Sequence, residues 1–190
     1  MFSHKQEQAT TTYKHLNLWL RLNSIAHMGY SRLHKSAEKL NLSIHELGSA
    51  SEESLLDIGW SPQQTQALLG VNKAAEAETN KTLAWLSQAP NRFFVSLNSA
   101  SFPKLLKQIS RPPLFLFVQG KPEVLNSPQL AFVGSRKASS YAIQITHQLI
   151  QALAQQTTAC TVSGLALGVD AACHQASLLH NVPTIAVLGC

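Results

Sequence analysis

In the first half of the chain, apolar residues return at helical intervals and short polar breaks interrupt them. Leu16, Trp19, Leu20 and Leu22 give one face of a helix beginning near Tyr13; the break lies around His27–Tyr30, with Gly29 marking a turn. Leu33, Ala37 and Leu40 stand at i, i+4 and i+7 of a second helix that Ser31 can cap, and Ser43 with Glu46 forms a capping-box pattern for a third. Ser61, Pro62 and Gln64 combine a capping hydroxyl, a proline at the first helical position and a glutamine three residues after the cap. That signal predicts a helix reaching about Ser87, with Leu68, Val71, Ala75, Leu83 and Leu86 facing a partner.

After Ala89 the period changes. Phe93–Ser96, Leu114–Val118, Leu130–Val133, Cys160–Val162 and Thr184–Leu188 are short apolar or β-branched runs beside turn residues, the pattern of strands. Helical stretches at Ser140–Gln155 and Asp170–His180 separate the last three. Strand, helix, strand, helix, strand is the unit of a parallel, doubly wound α/β sheet, and continuous apolar strands predict cover on both faces. The 190 residues therefore divide into an all-helical domain, 1–88, and an α/β domain, 89–190. Cys190 follows directly on a predicted strand, which leaves two expectations: a fragment of a longer protein, or a short form whose sheet edge pairs with something else.

With 45% apolar and 13% charged residues the chain can bury a core, which excludes wholesale disorder and fibrous repeats. No apolar run approaches the roughly 18 residues that span a bilayer, and Met1–Thr12 lacks the apolar centre of a secretory signal, so the expected location is cytoplasmic. Cys160, Cys173 and Cys190 show no CxxC spacing, and two lie in apolar segments where a thiol acts as a small hydrophobe; neither disulfides nor zinc are expected. His174 and His180 are six apart, off a common helical face, so no metal or other cofactor is assigned. The net charge of +5 divides unevenly: residues 1–88 hold eight Lys/Arg against eight Asp/Glu, and residues 89–190 hold seven against two. A basic half beside a neutral one points to a polyanionic partner, against the alternative of a merely soluble basic surface.

Ligands of open α/β sheets bind outside the carboxyl ends of the strands, which directs attention to the segments after Val133 and Val162. Gly134, Ser135, Arg136 and Lys137, followed by Ala138–Ser140, set a glycine, hydroxyls and two cations ahead of a helix N-terminus, where an anion is favoured. Arginine can grip a phosphate with two parallel hydrogen bonds while lysine adds a point charge. Ser163 and Gly164 open the second segment, and Gly168 precedes Asp170 and His174. The glycine spacing is neither a Walker A loop nor a GxGxxG fingerprint. Asp170 reads as an N-cap one turn before His174; the pair is structural, or a catalytic histidine with an orienting acid for which the sequence places no nucleophile.

Phe102-Pro103-Lys104-Leu105-Leu106, Arg111-Pro112-Pro113-Leu114, the GSRKAS loop, SGLALGVDAACH from Ser163 to His174 and TIAVLGC from Thr184 to Cys190 together resemble the DNA-processing protein A family, DprA or Smf. The resemblance implies a Rossmann-like domain after a SAM-like or helix-hairpin-helix domain. It also implies a non-enzymatic protein that binds single-stranded DNA in natural transformation, protects it, assists loading of the recombinase RecA and dimerises through the Rossmann-like domain. Carried over by motif, Gly134, Ser135, Arg136, Lys137, Ser163, Gly164 and Gly168 form the phosphate site, supported by Asp170 and His174. Leu167 stands where some members carry a cation, which leaves Arg136 and Lys137 to supply the local charge. Near residue 27 the expected glycine-rich hairpin reads His27-Met28-Gly29, one glycine short, which argues against a DNA-binding hairpin in the first domain. Tyr141, beside the basic loop, is either a stacking ring or core. Two further readings are a phosphoribohydrolase-type enzyme, whose PGGxGT loop and glutamate are absent from these residues, and an interaction module on an incomplete sheet.

Overall fold

Trp19 and Leu22 are almost wholly buried on α1 (Phe2–Ser24), the helix around which the first of two compact units, Met1–Gly120, assembles. A computed structural model of the chain describes residues 2–156 and 158–189, so Cys190 lies outside the described residues. The second unit is Lys121–Cys190. After α1 come α2 (Tyr30–Lys39), a 3-10 turn at Ile44–Ser49, α3 (Glu52–Asp57), α4 (Pro62–Leu69) and α5 (Lys73–Ser87). The capping box at Ser43 forms as its sequence predicts, but it opens a 3-10 turn rather than an α-helix. Trp60 buries its indole and donates to the Ser36 hydroxyl at 2.9 Å, which in turn donates to the Arg32 carbonyl, so no polar atom of that pair is wasted.

The long helix predicted from Pro62 to Ser87 is two helices, because a side chain distant in sequence holds the break open. Arg21 donates from Nη1 to the carbonyls of Leu68 at 2.7 Å and Gly70 at 2.6 Å, and from Nε to Asn17 at 2.7 Å. Carbonyls orphaned at the end of α4 are thereby satisfied. Asn72 then starts α5 by accepting from the Ala75 N–H at 3.0 Å.

β1 (Arg92–Ser96) and β2 (Phe115–Gln119) form an antiparallel hairpin with Phe94 opposite Phe117, and the short α6 (Lys104–Lys107) lies between them. Val95, Leu97, Phe102 and Leu114 belong to the same core as Trp19, Leu33 and Leu55. The expected boundary after Gln88 therefore falls inside the first unit: the hairpin completes the helical core. Four of the seven cations counted with the second half, Arg92, Lys104, Lys107 and Arg111, go with it. The second unit keeps only Lys121, Arg136 and Lys137 against Glu123 and Asp170.

In the second unit β3 (Gln129–Ala131), β4 (Cys160–Ser163) and β5 (Thr184–Ala186) pair in parallel in that order. α7 (Ser140–Gln156) and α8 (Val169–Leu179) connect them, and sequential order with right-handed crossovers lays both helices on one face. Phe132, Ile150, Cys173, Ala176 and Val182 make the core of that layer. The described residues cover this face only, and Val133 is 90% exposed, which differs from the two-sided cover predicted from its continuous apolar strands. Cys160 and Cys173 are buried free thiols whose pKa burial raises, as small hydrophobes rather than reactive groups.

Replacing Arg21 by alanine is expected to destabilise the first unit by about 2–3 kcal/mol, since charge-assisted bonds to part-buried carbonyls are lost; urea unfolding monitored by tryptophan fluorescence measures it. His15 supplies a second test. Ser96 donates to Asn98 at 2.6 Å and so accepts from His15 Nε2 at 3.1 Å. Burial, and then the proximity of His45, hold the His15 pKa below the usual 6.5. The unfolded chain therefore takes up a proton that the folded one resists, and stability present above pH 6.5 is lost as the pH falls. The urea midpoint is expected to drop between pH 7.5 and 5.5 and to drop less in His15→Gln.

Candidate nucleic-acid interface

Parallel pairing of Ala131 with Val162 brings the carboxyl ends of β3 and β4 to one edge. The loops that leave these ends interlock. Val169 N–H donates to the Ser135 carbonyl at 3.2 Å, and a methyl group at Gly168 would overlap that same carbonyl. Gly168 also holds φ +80°, a conformation that glycine adopts without steric cost. At Gly134, an added side chain would overlap Val169. Gly168 lets the two backbones touch, and Gly134 leaves room for the Val169 side chain.

Within each loop, side chains satisfy the turning backbone. Ser135 accepts from the Lys137 N–H at 3.0 Å, and Ser139 accepts from the Ala142 N–H at 3.2 Å as α7 begins. Asp170 Oδ2 accepts from the N–H groups of Gly164 at 3.2 Å and Ala166 at 3.3 Å. The predicted N-cap role of Asp170 shifts accordingly: Gly168 occupies the cap, and Asp170, in the first turn of α8, folds the loop back over the helix start. His174 is buried and its Nδ1 lies 2.8 Å from the Thr184 hydroxyl, which also joins Thr161 at 2.7 Å. Asp170 and His174 thus serve different partners, and the orienting acid–histidine pair is not formed.

Gly134, Ser135, Arg136 and Lys137 are exposed, and among the described ion pairs neither cation has a carboxylate partner. Ser163, in contrast, is buried and donates its hydroxyl to the Phe132 carbonyl at 2.9 Å, because it is still a residue of β4 and its parity turns it into the sheet–helix layer. Gly164, exposed, and Gly168, half-buried, bring no side-chain donor to the second loop, and the Gly164 N–H is already given to Asp170. Tyr141 is 73% exposed, which removes the core alternative. Sequence reasoning passed over Leu165, a non-glycine residue at φ +57° that together with Leu167 presents an exposed apolar rim to the same loop. Only backbone geometry reveals it, since nothing in the residue type favours that conformation. Among the described residues no group of three or more His, Cys, Asp or Glu side chains could hold a metal ion, and no helix is long and apolar enough to cross a membrane.

A helical SAM-like domain followed by a parallel α/β sheet, with glycine loops and cations at the carboxyl ends of its strands, defines the class as Rossmann-like with a helical N-terminal domain. Residues 93–190 match the family described as DNA recombination-mediator protein A, and residues 14–81 match the SMF/DprA SAM domain; the chain belongs to this family of DNA-processing proteins. It is 33% identical to Protein Smf of Escherichia coli (strain K12) over 172 residues, covering 90% of this chain and 44% of that protein. With DNA processing protein DprA of Streptococcus pneumoniae (strain ATCC BAA-255 / R6) it shares 39% identity over 88 residues, 46% of this chain and 30% of that protein. The chain therefore spans less than half the length of these curated relatives. The X-ray structure of DNA processing protein A (DprA) from Streptococcus pneumoniae has the same fold, with a TM-score of 0.65 at 24% identity over 90% of this chain and 55% of that one.

Gly168→Ala is expected to destabilise the second unit by about 1–3 kcal/mol, through both the positive φ and the clash with Ser135. Chemical denaturation of the variant measures it.

Proposed function

We propose that this chain binds single-stranded DNA through the sugar-phosphate backbone, as a non-enzymatic cytoplasmic protein acting in natural transformation. Incoming DNA is protected and handed to the recombinase RecA for homologous recombination, and the protein works as a homodimer through its Rossmann-like domain. Family membership supports the DNA-processing part of this reading, and the match boundaries support a helical domain over 1–88 ahead of a DNA-processing domain over 89–190.

The observation that carries the DNA contact is the pairing of exposed Arg136 and Lys137 with an interlocked glycine shelf. An exposed guanidinium without a carboxylate partner loses little on leaving water for a phosphate, and its fork matches two phosphate oxygens. The shelf is already folded, so little conformational entropy is lost on binding. Asp170, at the start of α8, directs an oxygen at two backbone N–H groups, which limits its repulsion of the strand. Tyr141, four residues after Lys137, and Leu167, next to Gly168, are exposed and offer apolar surface to unstacked bases. Sequence preference is expected to be slight, because phosphates carry no base information.

Each neutralised phosphate of a single strand contributes about 0.7 to the log–log salt slope. Arg136→Ala is expected to weaken oligothymidine binding about tenfold at low salt and to reduce that slope by about 0.7. Fluorescence-anisotropy titrations at several salt concentrations test it, and superimposable curves for the two proteins would overturn the assignment.

A further inference from the structure

The cations that packing transfers to the first unit are not spread evenly. Arg111 lines an open cavity of about 350 Å³ with Asn23, His27, Met28, Gly29 and Tyr30. None of the ten lining residues is a carboxylate. Arg111 is exposed, pairs with no described acid, and is followed by Pro112 and Pro113, which restrict its backbone to extended conformations. Among the other lining residues, buried Ile25 and Met28 anchor the turn between α1 and α2, and His27 is exposed at φ +62°. No side chain caps α2 at Gly29. A helix start alone would not make a site; here a guanidinium, an imidazole and an amide from two separate segments meet in one hollow.

The neighbouring cavity of about 240 Å³ shares the wall residue Tyr30 and is lined by Lys107 and His34 as well. Tyr30 is half-buried, its ring 5.5 Å from that of His34, and it lines both the cavity that holds Arg111 and the one that holds Lys107. Phosphates on the cations with an unstacked base against the ring is the arrangement that single-strand binding favours. Glu38, the acid lining the second cavity, lies 3.5 Å from His34.

We infer that the first unit carries a second nucleic-acid contact, in which Arg111 and His27 hold a backbone phosphate of a single strand and Tyr30 offers its ring to a base. This rests on the single-strand reading above and adds a separate site to it. The contact runs through the Arg111 and His27 side chains, so it does not need the close backbone approach that a further glycine in the His27-Met28-Gly29 turn would permit.

The test uses the full chain and its Arg136→Ala/Lys137→Ala variant, followed by amide NMR during titration with oligothymidine and, separately, with inorganic phosphate. Oligothymidine is expected to shift the amides of Gly29, Tyr30 and Arg111 in the double variant as in the unsubstituted protein. Arg111→Gln should abolish these shifts and lower the salt slope by about 0.7, and Arg111→Lys should restore most of the slope. If the Gly134–Lys137 amides respond to the oligonucleotide while Gly29, Tyr30 and Arg111 do not, the inference fails and the single-strand reading stands. Shifts at Gly29 with inorganic phosphate but not with oligothymidine also overturn it, by showing a site for the free anion. A response in the first unit with silent Gly134–Lys137 amides upholds this site and contradicts the loop assignment.

Discussion

Contact between two backbones at the carboxyl edge of the sheet is the constraint on which the candidate site depends. Gly168 lies against the Ser135 carbonyl, and Val169 donates to it. A residue with a side chain at position 168 would separate the loops and carry Arg136 and Lys137 away from the glycine backbone of the second loop. The same contact leaves the two cations facing solvent, because the backbone between them and α8 is already filled. Asp170 reinforces the arrangement by tying Gly164 and Ala166 to the start of α8, and His174, anchored on Thr184, secures the same helix to β5. Two sets of residues separate here: buried Ser163 and His174, with half-buried Asp170, build the shelf, while Arg136 and Lys137 stand exposed on it.

Electrostatics divides differently from sequence. The second unit has a single excess positive charge, so the proposed contact with a polyanion rests on where the charges sit rather than on how many there are. All of the remaining excess lies in the hairpin segment of the first unit, whose residues 92–120 contain Arg92, Lys104, Lys107 and Arg111 and no acid. Arg92 is occupied structurally, over the Trp85 ring and bonded to the Trp85 carbonyl. Lys107 and Arg111 face cavities. A strand long enough to meet both units would add phosphate contacts, and with them salt dependence.

Much of this was legible in the chain. The change from a helical period to short apolar runs marked the α/β segment, and the glycine loops after Val133 and Val162 marked its ligand edge. The family resemblance rested on motifs in the same order. What escaped depended on residues distant in sequence. Leu68, Val71 and Ala75 keep a helical period across Gly70, and the apolar pattern does not show that Arg21, 47 residues before Leu68, takes up the carbonyls where the helix ends. The hairpin shares its composition with the second half but its buried Val95 and Leu114 with the first. Ser163 looked like a loop hydroxyl because Gly164 follows it, yet strand parity had already turned it inward. His27 and Arg111 carry no common motif, and the fold alone brings them to one cavity.

Hydrogen–deuterium exchange of the whole chain, with and without a saturating oligothymidine, tests the central claim most directly. The account predicts slowed exchange at the amides of residues 134–138 and 164–169, where the interlocked loops face the strand. Saturated binding that leaves both loops exchanging at their original rates would contradict it.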